Sequence, residues 1–196
     1  ERQPAIAEGK TDADGKVTDR ASLFGPYVDE RMIPQLKEAA AQYDLDGVWV
    51  DGECWAVRPD YSEWAVKAWG GPPPRTPAEP RWLEWLEFNR AQFRKYVRRY
   101  ADALHQARPK FQIASNWLYS TFVPERPELP VDFISGDYLG NASISTARLE
   151  ARYMAATGKP WDLMAWGFQR ANNQRGPNYK PAVQVQQEAA VVLAQG

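Results

Sequence analysis

The chain has few of the residues that most often carry catalysis or bind metals. Its 196 residues include one cysteine, Cys54, and one histidine, His105. A single cysteine excludes an internal disulfide framework and a cysteine-based zinc site. A single histidine excludes a poly-histidine metal site and disfavours a Ser-His-Asp triad. Acid–base chemistry must therefore come from carboxylates, tyrosines or lysines, and we expect no metal or other cofactor.

Excess charge of one sign and long apolar runs are also missing. Lys and Arg number 24 against 25 Asp and Glu, a net charge of −1, which excludes a generally basic nucleic-acid binder. No apolar run approaches the roughly 20 residues of a membrane helix. We expect neither a nucleic-acid nor a membrane partner, and a periplasmic or secreted location if a signal peptide precedes Glu1.

Aromatic residues, in contrast, are abundant, with 9 Trp, 9 Tyr and 7 Phe. Flat amphipathic rings in this number suit stacking on sugars or bases, although their default use is core packing.

Helical and strand-like segments alternate along the chain. Short apolar runs typical of buried strands lie near 48–50, 111–117, 131–138 and 160–167, and helical spacing covers 81–107, 144–156 and the end of the chain. Alternation of this kind favours an α/β fold with a parallel sheet. Because no strand is followed by a glycine-rich dinucleotide or Walker loop, a nucleotide-binding fold is disfavoured, and a (β/α)8 TIM-barrel type remains.

A complete barrel needs about 250 residues and eight strands. Only about four strand–helix units are present, so residues 1–196 are expected to form a partial barrel catalytic domain. Residues 1–22 are a loop, a hairpin or the trailing end of an upstream unit. The missing strands would come from other barrel segments or from a homo-oligomer, since open sheet edges pair or aggregate.

Candidate site residues stand where the predicted strands end. In a barrel the carboxyl ends of the strands meet at one mouth, where active sites lie. Carboxylates, amides and rings together are what a carbohydrate substrate requires. The candidates are Asp51, Glu53, Trp55, Asn116, Trp117, Asp137, Tyr138 and Trp166.

Asp51 and Glu53 are the candidate catalytic pair. Two residues apart on an extended strand, they face the same side with Cα atoms roughly 6.5 Å apart. This spacing is compatible with both retaining and inverting glycosidases. The alternative is that Asp51 caps the next segment and Glu53 is a solvated loop acid.

Among the remaining residues of interest, one has both a functional and a structural interpretation, and the others are expected to have structural roles. Asp137 either accepts hydrogen bonds from substrate hydroxyls or bonds its own backbone in a turn. Asp162, at the start of its strand, is expected to be structural. Trp49 is expected in the core, and Trp82 and Trp85, at helical spacing, are expected to pack.

The run Asp46-Gly47-Val48-Trp49-Val50-Asp51-Gly52 resembles the nucleophile strand of glycoside hydrolase family 29 α-L-fucosidases. The stretches 107–116 and 165–168 are similar to further segments of those enzymes, in the same order. The resemblance implies a retaining barrel hydrolase in which Asp51 is the nucleophile. The resemblance does not identify the acid, and Glu53 is assigned to that role because it lies close to Asp51 in the sequence.

A second resemblance is to family 42 β-galactosidases, through 82–88, the entry to the strand near 111, and 158–164. Those enzymes place an Asn-Glu acid/base pair at one strand end and a nucleophilic Glu on a later strand. Here Gly52 precedes Glu53, and Ala165 stands where the nucleophile is expected. This departure argues against family 42 chemistry but not against the fold.

The expected function is therefore hydrolysis of a terminal sugar by a fucosidase-like retaining glycosidase. One alternative is a β-galactosidase-like enzyme of the same fold, and another is a non-catalytic glycan-binding or structural barrel segment. A carboxylate-based metal hydrolase is disfavoured, since scattered acids with one histidine give poor ligand spacing.

Overall fold

The structure, a computed structural model, describes residues 9–51, 58–116, 125–138, 142–169 and 178–196. It divides into two compact units, which are treated separately below. The first unit contains Glu1–Val48 and Trp55–Phe111, and the second contains Trp49–Cys54 and Gln112–Gly196.

The first unit combines a hairpin with helices. Strands β1 (Gly9–Thr11) and β2 (Val17–Ala21) pair antiparallel, which agrees with the hairpin reading of the N-terminal stretch. A π-helical turn (Val28–Met32) runs into helix α1 (Ile33–Gln42). Helices α2 (Glu63–Trp69) and α3 (Trp82–Ala107) follow.

Aromatic rings form the core of this unit. Trp85 is fully buried on α3 and stacks on Phe88, with ring centroids 5.5 Å apart. Trp69 meets Trp85 edge to face at 5.3 Å, an arrangement that aromatic pairs prefer. Trp82 packs against the same cluster. The expectation that Trp82 and Trp85 pack is confirmed.

The ends of α2 follow their local sequence. The Ser62 hydroxyl accepts a hydrogen bond from the backbone N–H of Ala65, so Ser62 caps the helix. Gly70 closes the helix at φ 87°, a left-handed conformation that glycine adopts without a steric penalty.

The second unit is built on a four-stranded sheet in the order β3-β4-β5-β6. The strands are β3 (Gly47–Val50, whose second half belongs to this unit), β4 (Gln112–Asn116), β5 (Phe133–Asp137) and β6 (Trp161–Met164). Strands β4, β5 and β6 are parallel. Each strand lies within one of the predicted segments or overlaps it closely.

Helices and a small hairpin complete this unit. Helix α4 (Ser143–Ala155) connects β5 to β6 and packs on both strands and on α5 (Ala182–Leu193). Between β6 and α5, β7 (Phe168–Gln169) pairs antiparallel with β8 (Asn178–Tyr179). Gly158 follows α4 at φ 78°, a left-handed conformation that is common just after a helix end.

Parallel strands connected through a helix agree with the α/β interpretation, but the described residues form an open sheet. Their strands do not close into a barrel, and the (β/α)8 assignment stays a prediction. In the same residue ranges, every helix is too short or too polar to span a lipid bilayer.

One core prediction for the sheet was wrong. Trp49 on β3 keeps 40% of its surface exposed. The reason is its place on the outer strand of the described sheet, where one side of the strand has no neighbouring strand among the described residues.

Candidate functional site

Strand register brings polar side chains into rows across one face of the sheet. Asn116 on β4 is paired with Ser135 on β5, and Ser135 with Asp162 on β6. Because paired residues of parallel strands project to the same face, these three side chains form one row. Two residues farther along β5, Asp137 projects from the same face at the carboxyl end of the strand.

Asp51 joins this row through a direct hydrogen bond. The Asn116 side-chain amide donates to Asp51 Oδ1 at 2.7 Å. Asn116 is 1% exposed, whereas Asp51 is exposed. A buried amide thus orients one oxygen of an accessible carboxylate, which is a suitable arrangement for an attacking or charge-stabilising group.

Asp137 lies in a different environment. Its side chain is 2% exposed, and its Oδ1 has no hydrogen-bond partner among the described residues. Burial raises the pKa of Asp137 to about 6; a hydrogen bond with Trp166 opposes the rise, and the nearby charges of Asp51 and Asp162 add to it. Asp137 therefore holds a proton at far higher pH than an ordinary aspartate.

Trp166 and Asp162 complete the set. Trp166 follows β6 by two residues, is partly buried, and tilts against Phe168 at a centroid distance of 5.0 Å. The Ser135 hydroxyl donates to the Asp162 carboxylate. This contact between two neighbouring strands agrees with the structural role expected for Asp162, and the charge of Asp162 also acts on Asp137.

Tyr138 lies apart from this row, although it was expected to bind substrate. It is 2% exposed, and its hydroxyl donates to Glu188 on α5 at 3.1 Å. Alternation explains the difference, because consecutive strand residues project to opposite faces. Tyr138 therefore belongs to a packing contact, and the substrate-binding role predicted for it has no support here.

Glu188 is the centre of a closed buried network that sequence reasoning missed. The Lys180 ammonium donates to Glu188 Oε2 at 2.9 Å, and both side chains are completely buried. Gln184 donates to Oε1 at 3.1 Å. Burial alone would raise the pKa of Glu188, but hydrogen bonds with Ser143, Lys180, Tyr138 and Gln184 lower it below its ordinary value.

Three predicted site residues, Glu53, Trp55 and Trp117, lie outside the described residues. The structure thus brings together Asp51, Asn116, Asp137 and Trp166 from the predicted set. We call these four residues, with Ser135 and Asp162, the acid row.

The first unit contains a cavity of about 480 Å³ beside α3. Lys95, Arg98 and Arg99 line it together with Asp29 and Asp102, and Arg99 forms an ion pair with Asp29. Charges of both signs line its wall, so the cavity does not select one class of charged ligand.

Within the described ranges, no group of three or more His, Cys, Asp or Glu side chains is arranged to hold a metal ion. No protein-family model and no curated protein matches this chain. The interpretation of the acid row accordingly rests on its own geometry.

Proposed function

We propose that the protein hydrolyses a terminal glycosidic bond, as a fucosidase-like retaining glycosidase with a carboxylate nucleophile. The observation that carries the proposal is the acid row, which combines an accessible Asp51 held by Asn116 with a buried, proton-holding Asp137. Two carboxyl groups in different electrostatic environments are what glycoside hydrolysis requires.

Asp51 is the proposed nucleophile. It follows the end of β3 and is exposed, so a sugar can approach it. The Asn116 amide donor fixes one oxygen of the carboxylate. The free oxygen attacks the anomeric carbon, and a carboxylic acid protonates the departing oxygen.

Trp166 is the proposed sugar-stacking surface. A sugar ring presents an apolar face to an aromatic ring while its hydroxyls bond to amides and carboxylates. Trp166 stands beside Asp137, partly buried, with a second ring from Phe168 against it. We include the closed barrel in this proposal, because strand ends meeting at one mouth would surround the acid row.

The test is hydrolysis of 4-nitrophenyl α-L-fucoside and β-galactoside by the wild type and by Asp51→Asn. The matched control is Asp46→Asn, an exposed aspartate just before β3. We expect the wild type and the control to cleave one of these substrates equally. Asp51→Asn should lose about 10⁴-fold or more in kcat, since the covalent route is removed.

Full activity of Asp51→Asn on a cleaved substrate would overturn this assignment. Binding of a fucose- or galactose-containing glycan without any turnover would instead favour the second candidate, a non-catalytic glycan-binding barrel segment. The exposed Ala165, where a related family has its nucleophilic Glu, is the observation behind that candidate.

A further inference from the structure

Within the acid row, the buried carboxyl of Asp137 has an oxygen for which the described residues provide no hydrogen bond. The residue is 2% exposed, and Oδ1 has no hydrogen-bond partner among the described residues. Buried polar atoms in native proteins are nearly always paired, so an unpaired one requires an explanation. A protonated carboxyl whose O–H is reserved for a substrate atom supplies such an explanation.

Burial and the two neighbouring charges favour the neutral form of Asp137, and one hydrogen bond favours the charged form. The charged side chains acting on it, Asp51 and Asp162, are both acidic and come from the two flanking regions of the sheet. Trp166 interacts with the carboxyl through a hydrogen bond, and an indole can only donate. Ser135 does not stabilise a negative charge on Asp137, because its hydroxyl donates its hydrogen bond to Asp162.

Asp137 and Asp51 lie at the ends of two strands of the same sheet, and the charge of Asp51 acts on Asp137. They end β5 and β3, and β4 lies between these strands. Adjacent strands are about 4.8 Å apart, so the two backbones are roughly 10 Å apart before the side chains extend from the same face. Retaining glycosidases hold their two carboxyl groups about 5 to 5.5 Å apart, so the proposed roles require the two side chains to lean toward each other above β4.

We propose that Asp137 is the acid/base residue of this site, the group that protonates the glycosidic oxygen when Asp51 attacks. This inference rests on the proposed function and gives Asp137 a chemical role in place of the hydroxyl-binding role expected from the sequence. It also transfers the acid role from Glu53, which lies outside the described residues.

The two chemical steps balance with these residues and water. In the first, an Asp51 oxygen bonds to the anomeric carbon, and the glycosidic C–O bond breaks with its electron pair going to the leaving oxygen. That oxygen takes the Asp137 proton. In the second, the Asp137 carboxylate takes a proton from water, the water oxygen bonds to the anomeric carbon, and the Asp51–carbon bond breaks.

The experiment compares leaving groups. An acid is essential for expelling a poor leaving group such as phenol and is nearly dispensable for 2,4-dinitrophenol. We expect Asp137→Asn to lose about 10² to 10⁴-fold on the phenyl glycoside but less than about 10-fold in the glycosylation step of the dinitrophenyl glycoside. Azide should restore its turnover and yield a glycosyl azide of retained configuration. Asp46→Asn is the matched control and should match the wild type on both substrates.

A measurement on the wild type alone covers the case in which Asp137→Asn does not fold. The kcat/KM for the phenyl glycoside should fall above about pH 6, as the acid loses its proton. The same limb should be absent with the dinitrophenyl glycoside. An alkaline limb identical for both substrates would overturn the assignment.

The outcomes separate this inference from the proposed function. If Asp51→Asn is inactive while Asp137→Asn keeps full activity on the phenyl glycoside, glycosidase chemistry stands and Asp137 is not the acid. Equal losses on both substrates would also reject the acid role. If the wild type cleaves no aryl glycoside, the proposed function fails and the role of Asp137 fails with it.

Discussion

Asp137 and Tyr138 are consecutive residues, but they belong to two buried sites with opposite properties. One site contains the Asp137 carboxyl, and the other contains the Glu188 carboxyl, which Tyr138 contacts. On one face of the sheet, the charges of Asp51 and Asp162 act on the Asp137 carboxyl, and its Oδ1 has no hydrogen-bond partner within the described part of the chain. On the other, Tyr138 contacts Glu188, which is paired with Lys180 and bonded by further donors. Burial is nearly complete in both places and acts to raise the pKa of both carboxyls, so the neighbouring donors and charges decide whether that rise persists.

The comparison shows how to distinguish a structural from a reactive buried acid. A structural acid receives a cation and enough donors to remain charged, and its pKa falls, as for Glu188. A reactive acid is left short of donors, and its pKa rises toward the working pH, as for Asp137. The following two predictions test this difference.

The largest effect on stability is expected from Lys180→Met. The substitution leaves Glu188 charged, buried and without its cation, which should lower the free energy of unfolding by about 3–5 kcal/mol. Urea denaturation at pH 7 measures this. The control is Glu84→Gln, which breaks the exposed Arg81–Glu84 pair at 3.0 Å and should cost less than about 1 kcal/mol.

The double variant Lys180→Met/Glu188→Leu separates lost packing from an uncompensated charge. Replacing both charges with apolar groups should recover most of the stability. A loss for Lys180→Met no larger than that of Glu84→Gln would contradict the description of this network as closed and buried.

A smaller, pH-dependent effect is expected from Asp137→Asn. Because the pKa of Asp137 is about 6 in the folded protein and the ordinary pKa of an aspartate is 3.8, the neutral carboxyl favours the folded state below about pH 4. That contribution is lost as pH rises through 6. Relative to the variant, the wild type should lose about 2 kcal/mol between pH 4 and pH 8.

Urea denaturation of the wild type and of Asp137→Asn across this range measures the difference. Burial of the amide in the variant has a cost that does not change with pH, so the pH dependence of the difference comes from the Asp137 carboxyl. Parallel stability curves for wild type and variant would mean that Asp137 titrates as an ordinary surface aspartate, and the contrast with Glu188 would disappear.

Much of the strand-end arrangement could be predicted from the sequence. The apolar run Val48–Val50 followed by Asp51 marks a strand with a carboxylate at its end, and the same logic placed Asn116 and Asp137. Side-chain alternation separates Asp137 from Tyr138, although the aromatic character of Tyr138 suggested a sugar-binding role instead.

Other features depend on long-range packing. Lys180 and Glu188 are eight residues apart, and only Glu188 lies on a helix. Their local sequence does not indicate that both side chains become fully buried. The exposure of Trp49 follows from the order of the strands in the sheet, which its own segment does not encode.

The most direct test of the central claim is the site of covalent labelling by a 2-deoxy-2-fluoro glycosyl fluoride of the sugar that the wild type cleaves. Such a reagent forms the glycosyl–enzyme ester but hydrolyses slowly, so the modified peptide can be identified by mass spectrometry. We predict a single label on Asp51. A label on another carboxylate, or rapid substrate hydrolysis without any label, would contradict the account.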